Sequence, residues 1–155
     1  MREMNKLDPL RPTSIDEDFA LWSAEQAALI RAGKFDRVDL ENVAEEIESL
    51  GRSDRHQIAN RLVVLLQHLL NYQFQPENRT NSWRASILGQ REAINALIED
   101  SPSLAPHPAK VLARSYRVGR LEASGETKLP LGTFPETCPY TIAQILDTEF
   151  LPGEL

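Results

Sequence analysis

The sequence predicts an all-α protein: a bundle of five main helices with a short C-terminal sixth. Three observations predict this class. Apolar residues recur at three- and four-residue intervals through five stretches, alternating strand patterns are absent, and prolines and glycines fall at the boundaries between stretches. With 155 residues the chain suits one domain and can bury roughly two-thirds of its unfolded surface.

Residues 1–13 hold Pro9 and Pro12 without periodicity and read as a flexible N-terminal arm, leaving 14–155 as a single helical domain. Ser14-Ile15-Asp16-Glu17 reads as a capping box at the start of the first helix. Behind it Ile15, Phe19, Trp22, Leu29 and Ile30 recur at helical spacing, and Gly33 suits a C-terminal cap. A second, shorter helix starts near Asp39, with Leu40, Val43, Ala44, Ile47 and Leu50 as its apolar stripe and Gly51 as its end. Gly51 to Ser53 would then turn the chain into a hairpin with the third helix, which runs to about Tyr72.

That third helix has an unusually wide apolar face: Ile58, Leu62, Leu65, Leu66, Leu69 and Leu70. Such a face marks a helix at the centre of a bundle. Pro76 stops it. Ser82 reads as the cap of a fourth helix carrying Trp83, Ile87, Ile94, Leu97 and Ile98. Three prolines between Ser101 and Pro108 separate it from a fifth, about His107 to Ser124. The segment around Pro130, Pro135 and Pro139, with Phe134 and Tyr140, is expected to wrap the bundle, and Thr141-Ile142-Ala143-Gln144 opens the short last helix.

The order of several short motifs resembles a bacterial family of unknown function, DUF29. They are Asp18-Phe19 with Trp22, Asp39-Leu40-Glu41-Asn42, Glu45-Glu46-Ile47-Glu48-Ser49-Leu50-Gly51 and His68-Leu69-Leu70. Gln75-Pro76, Ser82-Trp83-Arg84, Gln90-Arg91, Phe134-Pro135 and Cys138-Pro139-Tyr140 continue the series. The resemblance spans about residues 16 to 152. It implies a small helical bacterial protein and carries no catalytic or binding residues with it.

Composition narrows the function classes. Cys138 is the only cysteine, which excludes an internal disulfide and a multi-cysteine zinc site and suits a reducing, cytoplasmic setting. The longest purely apolar run, Leu62 to Leu66, is far short of the ~20 residues of a membrane span, and the charged run Met1 to Leu10 predicts no secretory signal. No membrane association is expected.

The net charge of −6 disfavours nucleic acid as a partner. The charge is also segregated. Residues 1–51 hold six basic and twelve acidic side chains; residues 52–91 hold six arginines and two acids; residues 92–155 hold five basic and nine acidic. The arginine-rich middle reads either as an internal ion-pair network or as a surface for an anionic partner.

Several constellations could carry chemistry. In the expected hairpin Glu48 would sit level with His56. However, no histidine pair has the spacing of a zinc protease, and Glu45-Glu46-Ile47-Glu48 lacks the histidine that di-iron bundles place three residues on. No metal and no cofactor are expected.

Arg61 and His68 stand two helical turns apart, close to the pairing used by a helical ribonuclease family, the HEPN domains. With thirteen arginines and three histidines, such pairs arise readily by chance. On the fourth helix Gln90 and Arg91 fall within the apolar stripe and Arg84 on its margin, so His68, Arg84, Gln90 and Arg91 could converge. In one reading Arg91 pairs with a buried carboxylate, Glu122, with Gln26 in the same network. In the other, these donors line a pocket for an anion.

No Gly-x-Ser-x-Gly motif or glycine-rich phosphate loop occurs, and Trp22 and Trp83 read as core anchors. The leading expectation is therefore a non-enzymatic cytoplasmic interaction or scaffold module with a protein partner or a homo-oligomeric assembly. The alternatives are a phosphate-directed enzyme (HEPN-like ribonuclease or metal-dependent hydrolase) and a bundle that binds a small anion.

Overall fold

The computed structural model describes residues 11–153, so the expected arm lies largely outside the described residues. The chain is all-α. Its helices are α1 (Phe19–Arg31), α2 (Leu40–Phe74), α3 (Asn81–Asp100), α4 (His107–Thr127) and the short α5 (Ile142–Leu146), and single 3₁₀ turns fill several of the connections. No strand occurs among the described residues. The chain groups into two compact units, Met1–Gly51 and Arg52–Leu155.

The fold class is as the sequence predicts, but the second and third expected helices are one. α2 runs unbroken for 35 residues through Gly51, Arg52 and Ser53. Gly51 suggests a stop, yet an interior glycine costs a helix only about 1 kcal/mol, and no proline stands nearby to enforce a break. The hairpin that would have set Glu48 level with His56 therefore does not form; the two residues lie about two turns apart along one helix.

In the first unit, α1 starts later than the Ser14 capping box suggests. Ser14 instead closes a turn, its carbonyl accepting from the Glu17 and Asp18 N–H groups. Asp18 is the N-cap, its carboxylate accepting the Leu21 N–H at 2.9 Å. Gly33 behaves as expected. It sits at φ 71°, its N–H donates to Ile30 O, and the next N–H, of Lys34, donates to Leu29 O, which together form a Schellman motif. Trp22 and Val38 are the buried apolar residues of this unit. Thr13 is tied down as well, its hydroxyl donating to Glu25 at 2.8 Å.

In the second unit the wide apolar face of α2 is buried as predicted: Ile58, Leu62, Leu65, Leu66, Leu69 and Leu70 are fully enclosed. Ile87 and Ile94 of α3, Tyr116 and Ala123 of α4, and Phe134, Tyr140 and Ile145 of the C-terminal segment close around them. Helix α4 lies close against α2 at Gly119, where a β-carbon would come within 3.0 Å of the Val63 carbonyl oxygen. Thr80, rather than Ser82, caps α3, accepting the Trp83 N–H at 3.2 Å, and Trp83 itself is only half-buried. The reciprocal capping box of Thr141 and Gln144 forms as read. The proline-rich segment wraps its unit with Phe134 and Tyr140 inward.

Candidate functional site

Most of the residues singled out in the sequence have separate partners. Arg91 is 1% exposed, and its guanidinium donates to three main-chain carbonyls. Nε donates to Ile145 O at 2.7 Å, Nη1 to Phe150 O at 2.7 Å and Nη2 to Gln144 O at 3.1 Å. The expected pair with Glu122 does not form, because Glu122 faces solvent on α4. The reason is the C-terminal segment. Gln144 and Ile145 of α5 and Phe150 beyond it offer three acceptor carbonyls to the arginine, a partner set with no side-chain signature. Burial lowers the Arg91 pKa, with the nearby Asp147 charge acting the other way.

Gln26 takes no part in such a network either. In the first unit its Oε1 accepts the Asp39 N–H at 2.7 Å. Asp39 in turn accepts from Trp22 Nε1 at 3.2 Å and from Asn42 Nδ2 at 2.8 Å. The Asn42 side chain foremost, then Trp22 and the Asn42 backbone, lower the Asp39 carboxyl pKa against the desolvation that would raise it.

Arg84 donates from Nη2 to the Tyr72 hydroxyl at 2.9 Å, while the Arg79 guanidinium lies 4.3 Å over the Tyr72 ring. Gln90 accepts from Arg61 Nη1 at 3.3 Å, a meeting between residues of the two candidate sets. His68 is half-buried, with Nδ1 2.8 Å from Val64 O on its own helix; a carbonyl only accepts, so Nδ1 carries the proton. Arg61 and His68 thus face different partners. Cys138, half-buried, donates Sγ–H to Tyr140 O at 3.5 Å, and burial raises its pKa, the reverse of an activated thiol.

Two concave surfaces stand out instead. In the first unit, Phe19, Trp22, Ala27 and Ile30 of α1 face Val43, Ile47 and Leu50 of α2 across an open apolar groove of about 270 Å³, with Glu46 in its wall. Large apolar side chains there remain in solvent: Phe19 is 53% exposed, Ile47 64% and Leu50 70%. The apolar stripes that the sequence predicts are real, but nothing among the described residues covers them.

In the second unit a groove of about 410 Å³ opens between α2 and α4. Arg55, His56 and Asn60 line it from α2, and His107, Arg114 and Ser115 from α4, over a floor of Ala59, Val63, Val111 and Val118. His107 Nε2 stands 3.2 Å from Arg55 O, and Ser115 Oγ donates to Ala59 O at 3.3 Å, so hydrogen bonds tie the two walls together. No carboxylate lines this groove. Sequence reasoning missed it. The spacing of His107, Val111, Arg114, Ser115 and Val118 does mark one face of α4, but which residues of α2 lie opposite is set by packing. Among the described residues no three His, Cys, Asp or Glu side chains converge as a metal-binding group, and no described helix is long and apolar enough to cross a membrane.

No curated protein and no solved structure matches the chain. A family does, over residues 15–151, nearly its whole length. On that match, which covers every helix described above, the chain belongs to the family described as domain of unknown function DUF29.

Proposed function

We propose that this protein is a non-enzymatic helical interaction module of the bacterial cytoplasm, and that the apolar groove of its first unit receives an amphipathic helix from a partner protein. One observation carries the reading: Phe19, Ile30, Ile47 and Leu50 gather around one groove and stay in solvent. A contiguous apolar surface of this kind is costly to leave bare, and rows of apolar side chains on two adjacent helices match the i, i+3, i+4, i+7 anchors of a third.

Charge selects the occupant. Residues 1–51 carry twelve acidic against six basic side chains, and Glu46 stands in the groove wall. A helix with lysines and arginines flanking its apolar face complements this surface, whereas a second copy of the same acidic unit would repel it.

The test uses a fluorescent leucine/lysine amphipathic peptide and its leucine/glutamate counterpart, read by anisotropy against the full chain. The lysine peptide is expected to bind saturably and the glutamate peptide not at all. Ile47→Asp is expected to weaken binding at least about tenfold although it adds a negative charge. Tighter binding to Ile47→Asp would reduce the effect to bulk charge and overturn the reading. So would a dimer in sedimentation velocity that Ile47→Asp dissociates, since the groove would then belong to a second copy.

A further inference from the structure

The groove between α2 and α4 collects positive charge that the protein leaves unused. The side chains of Arg55, His56 and Arg114 make no hydrogen bond or ion pair among the described residues, and all three line one concavity that lacks any carboxylate. This is unusual in a chain of net charge −6, which has acids to spare for neutralising exposed arginines. Arg55 stands on one wall and Arg114 on the other, so two guanidinium forks can approach a single anion from opposite sides. The His56 ring offers an N–H donor, and Asn60 an amide. Helix α4 begins at His107 without a side-chain cap, so the positive end of its dipole lies at the same groove.

The floor adds a second requirement. Ala59, Val63, Val111 and Val118 are apolar, and about 410 Å³ falls within the ~300–1,000 Å³ of small-molecule pockets, more room than a bare inorganic anion fills. A ligand that satisfies both halves has a compact, highly charged head and a small apolar body. The net negative charge of the chain works against an extended polyanion, whose remaining phosphates would lie along acidic surface.

We propose that this groove binds a small organic phosphate monoester, with Arg55 and Arg114 gripping the phosphate and the valine floor receiving the organic group. The site is separate from the apolar groove of the first unit and does not depend on what docks there.

Phenyl phosphate is the probe, titrated calorimetrically into the full chain at low ionic strength beside phenol and inorganic phosphate. Expected is one-to-one binding of phenyl phosphate with a Kd on the order of 100 μM, and at least about tenfold weaker binding of either fragment. Arg55→Gln and Arg114→Gln, each checked for an unchanged melting temperature, are expected to weaken binding about tenfold or more. Val118→Phe, which narrows the groove and keeps its charges, is expected to weaken phenyl phosphate while leaving inorganic phosphate unchanged. Three outcomes would overturn the proposal: no saturation with phenyl phosphate, binding that neither arginine variant alters, or a short RNA that displaces phenyl phosphate and binds more tightly.

Discussion

Arg91 Nε donates to the carbonyl oxygen of Ile145 at 2.7 Å, a contact that joins the middle of α3 to the last turn of α5, 54 residues later. With the bonds to Gln144 and Phe150, one guanidinium satisfies three main-chain acceptors of the C-terminal segment and fastens that segment to the core of its unit.

Arg91→Met keeps most of the volume and removes every donor. Three carbonyls would then lose their partner inside the unit, and hydrogen bonds to a charged group are the strong ones. A destabilisation on the order of 3 kcal/mol is expected in chemical denaturation, with the C-terminal segment losing hydrogen-exchange protection first. An unchanged midpoint together with unchanged exchange would mean the segment is held by its apolar contacts alone.

Gly119 and Gly89 should respond in opposite directions to alanine. At Gly119 the new β-carbon meets Val63 O at 3.0 Å, Leu66 Cβ at 3.2 Å and Gln67 N at 3.3 Å, mostly backbone that cannot swing aside. Gly119→Ala is expected to destabilise by about 1 kcal/mol, the strain of pushing α4 off α2 exceeding the gain in helix propensity. At Gly89, inside α3, a β-carbon meets nothing within 4 Å, and Gly89→Ala is expected to stabilise by up to about 1 kcal/mol. Thermal melts of the two variants check the contrast in sign.

Alkaline pH should loosen the second unit through its tyrosines. Desolvation first, then the Cys138 charge, push Tyr116 from 10.0 up to about 12, with Arg120 opposing; Tyr140 is shifted upward as well. The unfolded chain therefore releases these protons at lower pH than the folded one. The stabilisation is complete below pH 10 and is lost as pH rises toward about 12. Urea midpoints across that window should fall, and the fall should be shallower in Tyr116→Phe. The variant also gives up the hydrogen bond from the Tyr116 hydroxyl to Pro135 O, so it should start about 1 kcal/mol lower at neutral pH.

Much of this architecture can be read in the sequence because it rests on local chemistry. The Schellman glycine at 33, the Thr141–Gln144 capping box and the 3.6-residue stripes of α2, α3 and α4 depend on neighbours within a turn or two. The family motifs likewise stand in the order of residues along the chain. The inward position of Arg91 followed from its place on the α3 stripe, and burial confirms it.

Where local signals competed, tertiary structure decided. Gly51 looked like a stop, but an interior glycine is only a weak penalty, and α2 continues through it. The sequence points Arg91 toward a carboxylate, because side chains are what a sequence displays; the acceptors are carbonyls, which every residue carries alike.

Sequence by itself determined the all-α class, the family and the apolar face of each helix. Only the folded chain could show that Phe19, Ile47 and Leu50 stay bare, or that Arg55 and Arg114 share one groove. Periodicity says which face of a helix is apolar or charged. What covers that face, and which residue of another helix stands opposite, is set by packing register and approach, which have no period in the sequence.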